Sequence, residues 1–136
     1  EGGTVMDVYK ALVAFLGDKG FGPVYTELPH DAEADGLPFV DLQPVAKPFT
    51  THGLNVLGFD EIDIDIDLYV SADDWATGKA ARLAQVLRLR LHAFRDPAIR
   101  VKAISAPARR PDRNNKIRRL GITVTVMVPA HIGDDS

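Results

Sequence analysis

Cysteine is absent from this 136-residue chain, and so is any hydrophobic run near the length of a membrane-spanning helix. The first absence excludes disulfides, thiolate zinc sites and cysteine nucleophiles within the chain. The second leaves no transmembrane helix to predict, because such a helix needs about 20 predominantly apolar residues. Positive charge is also in deficit: the net charge is −3, so no general positive field attracts nucleic acid.

Aromatic residues are few, at 7%, and the signatures of phosphate-binding loops, dinucleotide-binding folds and serine hydrolases are missing. The four histidines are scattered along the sequence without metal-ligand spacing. What is present is ordinary globular composition, with 46% apolar and 26% charged residues. This length and composition predict one domain over residues 1–136, with residues 1–3 and 130–136 as frayed tails.

The stretch FDEIDIDIDLYV, residues 59–70, alternates between acidic and apolar side chains. Such alternation with a period of two is typical of a strand with one buried face. Consecutive carboxylates on one side of a strand stand about 6.5–7 Å apart, too far to converge on one Mg²⁺ or Ca²⁺ ion unless another element adds ligands. The pattern therefore favours a strand whose acidic face meets water or a partner through Glu61, Asp63, Asp65 and Asp67.

An enzymatic alternative stays open for the same strand, namely a metal-dependent nuclease or phosphotransferase that uses Asp63, Asp65 and Asp67. No metal-binding loop motif supports it. Paired acid–base catalysis also needs two carboxylates in different environments, whereas these share one face. Arg100 and Lys102 lie on a later predicted strand and would offset the acidic charge if the strands are neighbours.

Two amphipathic helices are predicted. The first covers about residues 4–16, with Thr4 as its N-cap. The second begins after the N-cap Ser71, which has Asp74 three residues on, and runs to about Phe94 along a stripe of alanine and leucine.

Further strands are predicted within LPFVDLQPV, AIRVKAI and LGITVTVMV, whereas residues 17–38 and 46–55 are predicted to be loops with at most a brief extended piece near Val24. The order α-β-β-α-β-β predicts an α+β fold. It is expected to be a two-layer sandwich in which a roughly four-stranded antiparallel or mixed sheet carries both helices on one face.

A strongly basic connection, PARRPDRNNKIRR, occupies residues 107–119. No aromatic residue is interleaved, so the stacking surfaces of single-strand nucleic-acid binders are missing. Contact with carboxylates of a neighbouring subunit or partner is the favoured interpretation, with a solvated loop and direct nucleic-acid contact as alternatives. The cations concerned are Arg109, Arg110, Arg113, Lys116, Arg118 and Arg119.

Three stretches, taken together in their order and spacing, resemble the tail terminator (tail completion) proteins of long-tailed bacteriophages. They are TELPHDAEADGLPFVDLQPV, DIDIDLYVSADDWATGKAARLAQVLRLRLHAF and PARRPDRNNKIRRLGITVTVMV, and the likeness extends from about Val5 to Val128. Proteins of this family are small α/β domains that form rings, typically of six subunits, on the end of the finished tail tube.

The resemblance implies a structural virion protein with no enzymatic activity and no cofactor. Its ring would stop tube polymerisation, offer a surface for head–tail joining and let genomic DNA pass. The implied partners are other copies of the chain, the tail tube protein and the head–tail connector or head-closure protein, with no membrane. The implied location is the neck-proximal end of the virion tail, and the host cytoplasm during assembly. A head-closure or connector-adaptor ring is the alternative within this class.

Two site hypotheses accompany the resemblance. A head-to-tail ring needs two different complementary patches on each subunit, so the cations of residues 107–119 are expected to meet carboxylates of a neighbour or of the tube protein. The acidic row is expected either to line the channel and repel the DNA backbone, or to face a partner on the outside.

Overall fold

A computed structural model of the chain describes residues 5–17, 19–29, 31–32, 36–45, 51–54 and 59–129. The class is α+β, as predicted. The elements in chain order are α1 (Val5–Leu16), β1 (Val24–Tyr25), β2 (Phe39–Pro44), β3 (Thr51–Leu54), β4 (Phe59–Ser71), α2 (Ala72–Ala76), α3 (Lys79–Ala93), β5 (Arg100–Ile104), β6 (Ala108–Asn114) and β7 (Ile117–Pro129). The predicted tails, 1–3 and 130–136, and the predicted N-cap Thr4 lie outside the described residues.

Two strands of 13 residues, β4 and β7, form the centre of the sheet. They are antiparallel and paired along their whole length, from Phe59 opposite Pro129 to Ser71 opposite Ile117. On the other side of β4 lie β2 and β3, both antiparallel to it, and β1 runs parallel to β2 at the edge. On the other side of β7 lie β5 and β6, again antiparallel. The described residues thus form a mixed sheet of seven strands instead of the predicted four.

The additional strands come largely from segments that were predicted to be loops. β3 lies within residues 46–55, and β6 lies within the basic segment 107–119. The sequence of β6, ARRPDRN, has no apolar alternation and contains Pro111, both of which argue against a strand. An edge strand tolerates a proline, however, and β6 is held by backbone pairing to β7 instead of by burial of apolar side chains.

The second predicted helix is divided in two. Ser71 is its N-cap, as predicted, and its Oγ accepts a hydrogen bond from the backbone N–H of Asp74 at 3.0 Å. Gly78 then adopts a φ of 84° between α2 and α3. Such left-handed backbone interrupts a helix and favours glycine, which has no Cβ to clash. No helix in the described ranges is long and apolar enough to cross a membrane.

The core lies between the helices and one face of the sheet. Apolar side chains at even positions of β4 and β7 pack against the buried sides of α1 and α3, which confirms the predicted parity and places both long helices on the same face. The core includes Val8, Leu12, Leu16, Ile62, Ile64, Ile66, Leu68, Val70, Ala80, Ala84, Leu87, Leu91, Ile122, Val124, Val126 and Val128.

A second, smaller apolar cluster covers one end of the opposite face. The rings of Phe39 and Tyr69, on neighbouring strands, are stacked with centroids 4.7 Å apart, and Tyr25 meets Phe39 edge-on at 5.7 Å. Ile117 completes the cluster on β7, and Leu28, Ala32 and Leu37 cover it from the segment before β2. The expectation that this whole face is left to water or a partner is therefore wrong at this end.

The packing of α3 gives a direct test of the core. Leu87→Ala removes a side chain that is 1% exposed, and we expect it to lower the free energy of unfolding by about 2–5 kcal/mol because it leaves a cavity. Leu89→Ala is the matched control on the same helix, where the leucine is 66% exposed, and we expect a change within about 0.5 kcal/mol. Urea denaturation measures both. Equal losses in the two variants would contradict the placement of α3.

Candidate functional site: the charged face of the sheet

The face of the sheet opposite the helices carries the acidic row of β4, and we call it the charged face. The β4–β7 register places Asp63 opposite Thr125 and Asp65 opposite Thr123. Each threonine hydroxyl donates a hydrogen bond to its aspartate, at 2.7 Å from Thr125 and 2.8 Å from Thr123. Asp63 is 8% exposed and Asp67 is completely buried. Asp63 and Asp67 are therefore closed to water within the single chain, and the role of the row toward a partner stays a prediction.

Arg110 crosses a neighbouring strand to reach the acidic row. It lies on β6, next to β7, yet its Nη1 is 3.2 Å from Asp65 Oδ2 and 3.6 Å from Asp67 Oδ1 on β4. Its Nη2 also donates to the hydroxyl of Thr123 at 3.2 Å. The guanidinium thus joins β6 to β4 over the intervening strand.

Gly121 provides the space for that crossing. It is the residue of β7 that pairs with Asp67. A Cβ added at Gly121 would overlap the Arg110 guanidinium and lie 2.7 Å from Asp67 Oδ1, inside any real contact distance. The missing side chain is therefore what allows Arg110 to lie flat across β7.

Asp67 and Arg119 form a close ion pair in which the carboxylate is buried. Arg119 Nη2 donates to Asp67 Oδ2 at 2.5 Å, and the Arg119 guanidinium also lies over the Tyr69 ring, 5.6 Å from its centroid. Asp67 Oδ1 and Arg119 Nε are buried without a hydrogen-bond partner in the part of the chain that the structure describes. The pair is thus held by one strong hydrogen bond and by the second guanidinium, that of Arg110.

The protonation of this pair follows from opposing effects. Burial raises the pKa of the Asp67 carboxyl, and the hydrogen bond and positive charge of Arg119 oppose that rise, as does the charge of Arg110. Burial lowers the pKa of Arg119, but its hydrogen bond to Asp67 and the charge of Asp67 outweigh this, so the net shift is upward. The pKa of Asp67 still lies above its usual value, whereas Arg119 stays charged at neutral pH, and the positive charges of Arg119 and Arg110 favour the ionised form of Asp67.

Glu61 pairs with Lys102, which lies in the bulge of β5, on the far side of β7. The lysine side chain is 52% exposed. The expectation that Lys102 offsets the acidic charge holds for Glu61, although β5 neighbours β7 and not β4. Because the pair is exposed, it contributes little to stability, about 0–1 kcal/mol.

The basic segment divides into an inward and an outward set. Arg110 and Arg119 face the acidic row. The outward set lies elsewhere on the β6–β7 hairpin: Arg109 and Lys116 are exposed, and Arg118 is half-buried with its side chain 24% exposed. Arg109 Nη2 is 2.7 Å from Asp112 Oδ2, and its guanidinium lies 5.0 Å from the centre of the Trp75 ring, on the helix side of the sheet. Lys116 is exposed at the turn.

Arg118 also contacts Asp112, with 3.7 Å between Nη1 and Oδ2, and donates to the backbone oxygen of Asn115 at 3.0 Å. The side chain of Arg113, the sixth predicted cation, lies outside the described part of the chain. The roles predicted for these cations and for the acidic row, in subunit contact or in a channel, stay predictions.

The described residues contain no group of three or more acidic or histidine side chains placed to hold a metal ion. Oxygens of Asp63, Asp65 and Asp67 are instead engaged by threonine hydroxyls and guanidinium groups of the same chain. Sequence reasoning missed three contributors to this arrangement: Gly121, Thr123 and Thr125. A signal was present for the two threonines, because the predicted last strand places Thr123 and Thr125 at its odd, polar positions.

No protein-family model matches the chain, and no curated protein matches it.

Gly121→Ala tests the crossing of Arg110. The added methyl group must displace the guanidinium or Asp67, and we expect a loss of about 1–3 kcal/mol in the free energy of unfolding, as for other overpacked sites. The control is the same substitution in an Arg110→Ala background, where the principal obstruction is gone. A double-mutant cycle should give a coupling of about 1 kcal/mol or more. Additive effects would show that Arg110 does not lie over Gly121.

Tyr9 gives a test based on pH. Burial, followed by the charges of Asp41 and Asp65, raises its pKa to about 12, and its hydroxyl has no hydrogen-bond partner among the described residues. Because the folded pKa exceeds the unfolded value of about 10, the stabilising contribution is complete below pH 10 and is lost as pH rises toward 12.

We therefore expect the wild type to lose up to about 2–3 kcal/mol of unfolding free energy relative to Tyr9→Phe over that range. At pH 7 the variant should be as stable as the wild type or more so, because no hydrogen bond is removed. Denaturation of both proteins from pH 7 to 12 measures the difference. Parallel curves over the whole range would contradict the burial of this phenol.

Proposed function

We propose that this chain is a structural subunit that assembles head to tail with copies of itself into a ring, and that the ring is the tail terminator of a long-tailed bacteriophage. The ring would stop growth of the tail tube, present a surface to the head–tail connector or head-closure protein, and let DNA pass through its centre. Under this proposal the chain needs neither catalytic residues nor a cofactor.

The observation that carries the proposal is the uneven distribution of exposed charge across the sheet. At the edge formed by β6 and its turn, the exposed Arg109 and Lys116, together with the half-buried Arg118, outnumber Asp112. β1 lies at the opposite edge, and the segment that follows it exposes Glu27 and Asp31. A head-to-tail contact needs two different complementary patches on each subunit, and this arrangement supplies a basic and an acidic one.

The ion pairs within the charged face support the same proposal. Because Asp65 and Asp67 are paired with Arg110 and Arg119 of the same chain, these two arginines brace the subunit. This narrows the candidate subunit contact to the outward cations. It also reduces support for a metal-dependent enzyme on this strand, since the carboxylates are already bonded to side chains that carry positive charge.

Lys116→Glu combined with Arg118→Glu tests the ring contact. We expect the wild type to form one discrete oligomer and the variant to remain monomeric or to need at least about tenfold more protein to assemble, because the basic patch becomes acidic. Sedimentation velocity over a range of protein concentrations measures this. Negative-stain electron microscopy then shows whether the oligomer is a ring with an opening wide enough for a DNA duplex.

The matched control carries the same change of charge elsewhere. Arg82→Glu with Arg90→Glu reverses two exposed arginines on α3 and should leave the oligomer intact. Thermal unfolding establishes that both variants remain folded. A wild type that stays monomeric at every concentration and salt level, or a hairpin variant with unchanged mass, would overturn the proposed contact.

A further inference from the structure

A groove of about 730 Å³ runs along the outer edge of the sheet, between the end of α3 and β5. All five residues of β5 line it, together with residues just after α3. None of these residues belongs to the charged cluster around Asp67 or to the exposed tip of the β6–β7 hairpin. The groove therefore is a separate surface.

The backbone of β5 is unpaired on the groove side. β5 pairs with β7 on its inner side, and no strand in the described ranges pairs with its outer side. The N–H of Ser105 donates to Thr123 O at 2.9 Å, toward the sheet. Because successive N–H groups of a strand point in opposite directions, the N–H of Ile104 points away from the sheet and into the groove. Such an edge is a template for one more strand.

The side chains in the groove combine an apolar floor with a cationic rim. Phe94 and Ile99 are buried, and Val101 and Ile104 are half-buried, so apolar surface lies beside the open backbone. The rim carries the exposed cations Arg95, Arg100 and Lys102, against the carboxylate of Asp96 and that of Glu61, which pairs with Lys102.

The geometry of Arg95 and Lys102 adds to this picture. Arg95 is fixed at the rim by hydrogen bonds from its Nη1 to the backbone oxygens of His92 and Phe94, at 2.9 and 2.7 Å. Lys102 projects from the bulge of β5 toward Glu61 on the charged face. Positive charge therefore lies at both borders of the edge strand.

We propose that the edge of β5 binds an extended acidic segment of a protein chain, which adds to the sheet as a further strand. Its backbone would pair with the outward groups of β5, and alternate side chains would divide between the two borders. Apolar side chains would cover Phe94 and Val101, and acidic side chains would meet Arg100 and Lys102.

The cations of β5 also disfavour pairing of this edge with a second copy of itself. Pairing of β5 with the β5 of a second copy would bring Arg100 and Lys102 close to like charges, which is destabilising. The β5 edge is therefore expected to bind an acidic strand in preference to the β5 of another copy. A nucleic-acid phosphate backbone would satisfy the cations but would leave the apolar floor and the backbone groups of β5 unused, so the acidic peptide is the better fit.

Labelled peptides and fluorescence anisotropy test this proposal on the intact chain. The probe is a nine-residue peptide in which Asp and Val alternate. One control peptide has the same composition in two blocks, and another replaces Asp by Lys. A single-stranded oligonucleotide serves as the phosphate probe. We expect the alternating acidic peptide to bind at least about tenfold more tightly than either control peptide, because only it matches both borders of a strand.

Two variants separate the contribution of the positive charge from that of the backbone hydrogen bonds. Arg100→Glu should weaken binding of the acidic peptide by about tenfold or more, whereas Arg90→Glu, the same change on the exposed side of α3, should not. Ile104→Pro removes the outward N–H, which an edge strand tolerates, and should also weaken binding. Thermal unfolding shows whether each variant keeps its fold.

Three binding results would contradict the proposal. No binding of the alternating peptide, equal binding of the block peptide, or oligonucleotide binding that is tighter than peptide binding and is lost in Arg100→Glu would each overturn the proposal. These outcomes are independent of the ring, since the proposed ring contact is measured by sedimentation and depends on residues of the hairpin tip and the opposite edge.

Discussion

The antiparallel pairing of β4 with β7 over all 13 residues of each strand determines most of the structure. It sets the isoleucines of β4 opposite the branched residues of β7 on one face, where α1 and α3 cover them. By the same register it sets Asp63 and Asp65 opposite threonines and Asp67 opposite glycine on the other face. A slip of one residue would bury the aspartates in the apolar core, so the register is strongly determined.

The charged face shows how a dense row of carboxylates becomes compatible with burial. Asp63 and Asp65 accept from hydroxyl groups, while Asp65 and Asp67 also meet Arg110 and Arg119. Removing one member of a buried ion pair leaves an uncompensated charge, which is more costly than the pair is stabilising. The row is therefore a set of mutually dependent contacts.

The sequence predicted the elements that have strong periodicity and missed those that do not. The alternation in residues 59–70 and 120–128 identified both central strands, and the helical spacing identified α1 and α3. β3 and β6 were missed because their residues have no apolar alternation, and each is a strand through pairing with the strand that follows it in the chain. The break at Gly78 was missed because an isolated glycine is tolerated within a helical pattern.

For the candidate site, the sequence identified the charged residues but not their partners. The cations of residues 107–119 were predicted to act together, yet strand alternation sends Arg110 and Arg119 inward and leaves Arg109 and Lys116 outside. That division depends on residues 108–114 being a strand, which the sequence pattern does not indicate. The space at Gly121 depends on three strands at once and has no local signal.

The reach of Arg110 from β6 to β4 has a consequence for the dynamics of the hairpin. An edge strand without buried apolar side chains would ordinarily open on its own, and its amide protons would exchange rapidly with solvent. Here β6 is tied to a strand two positions away, so its opening requires the charges around Asp67 to separate as well. The amides that pair β6 with β7 should therefore exchange together with those of the sheet centre, as one cooperative unit.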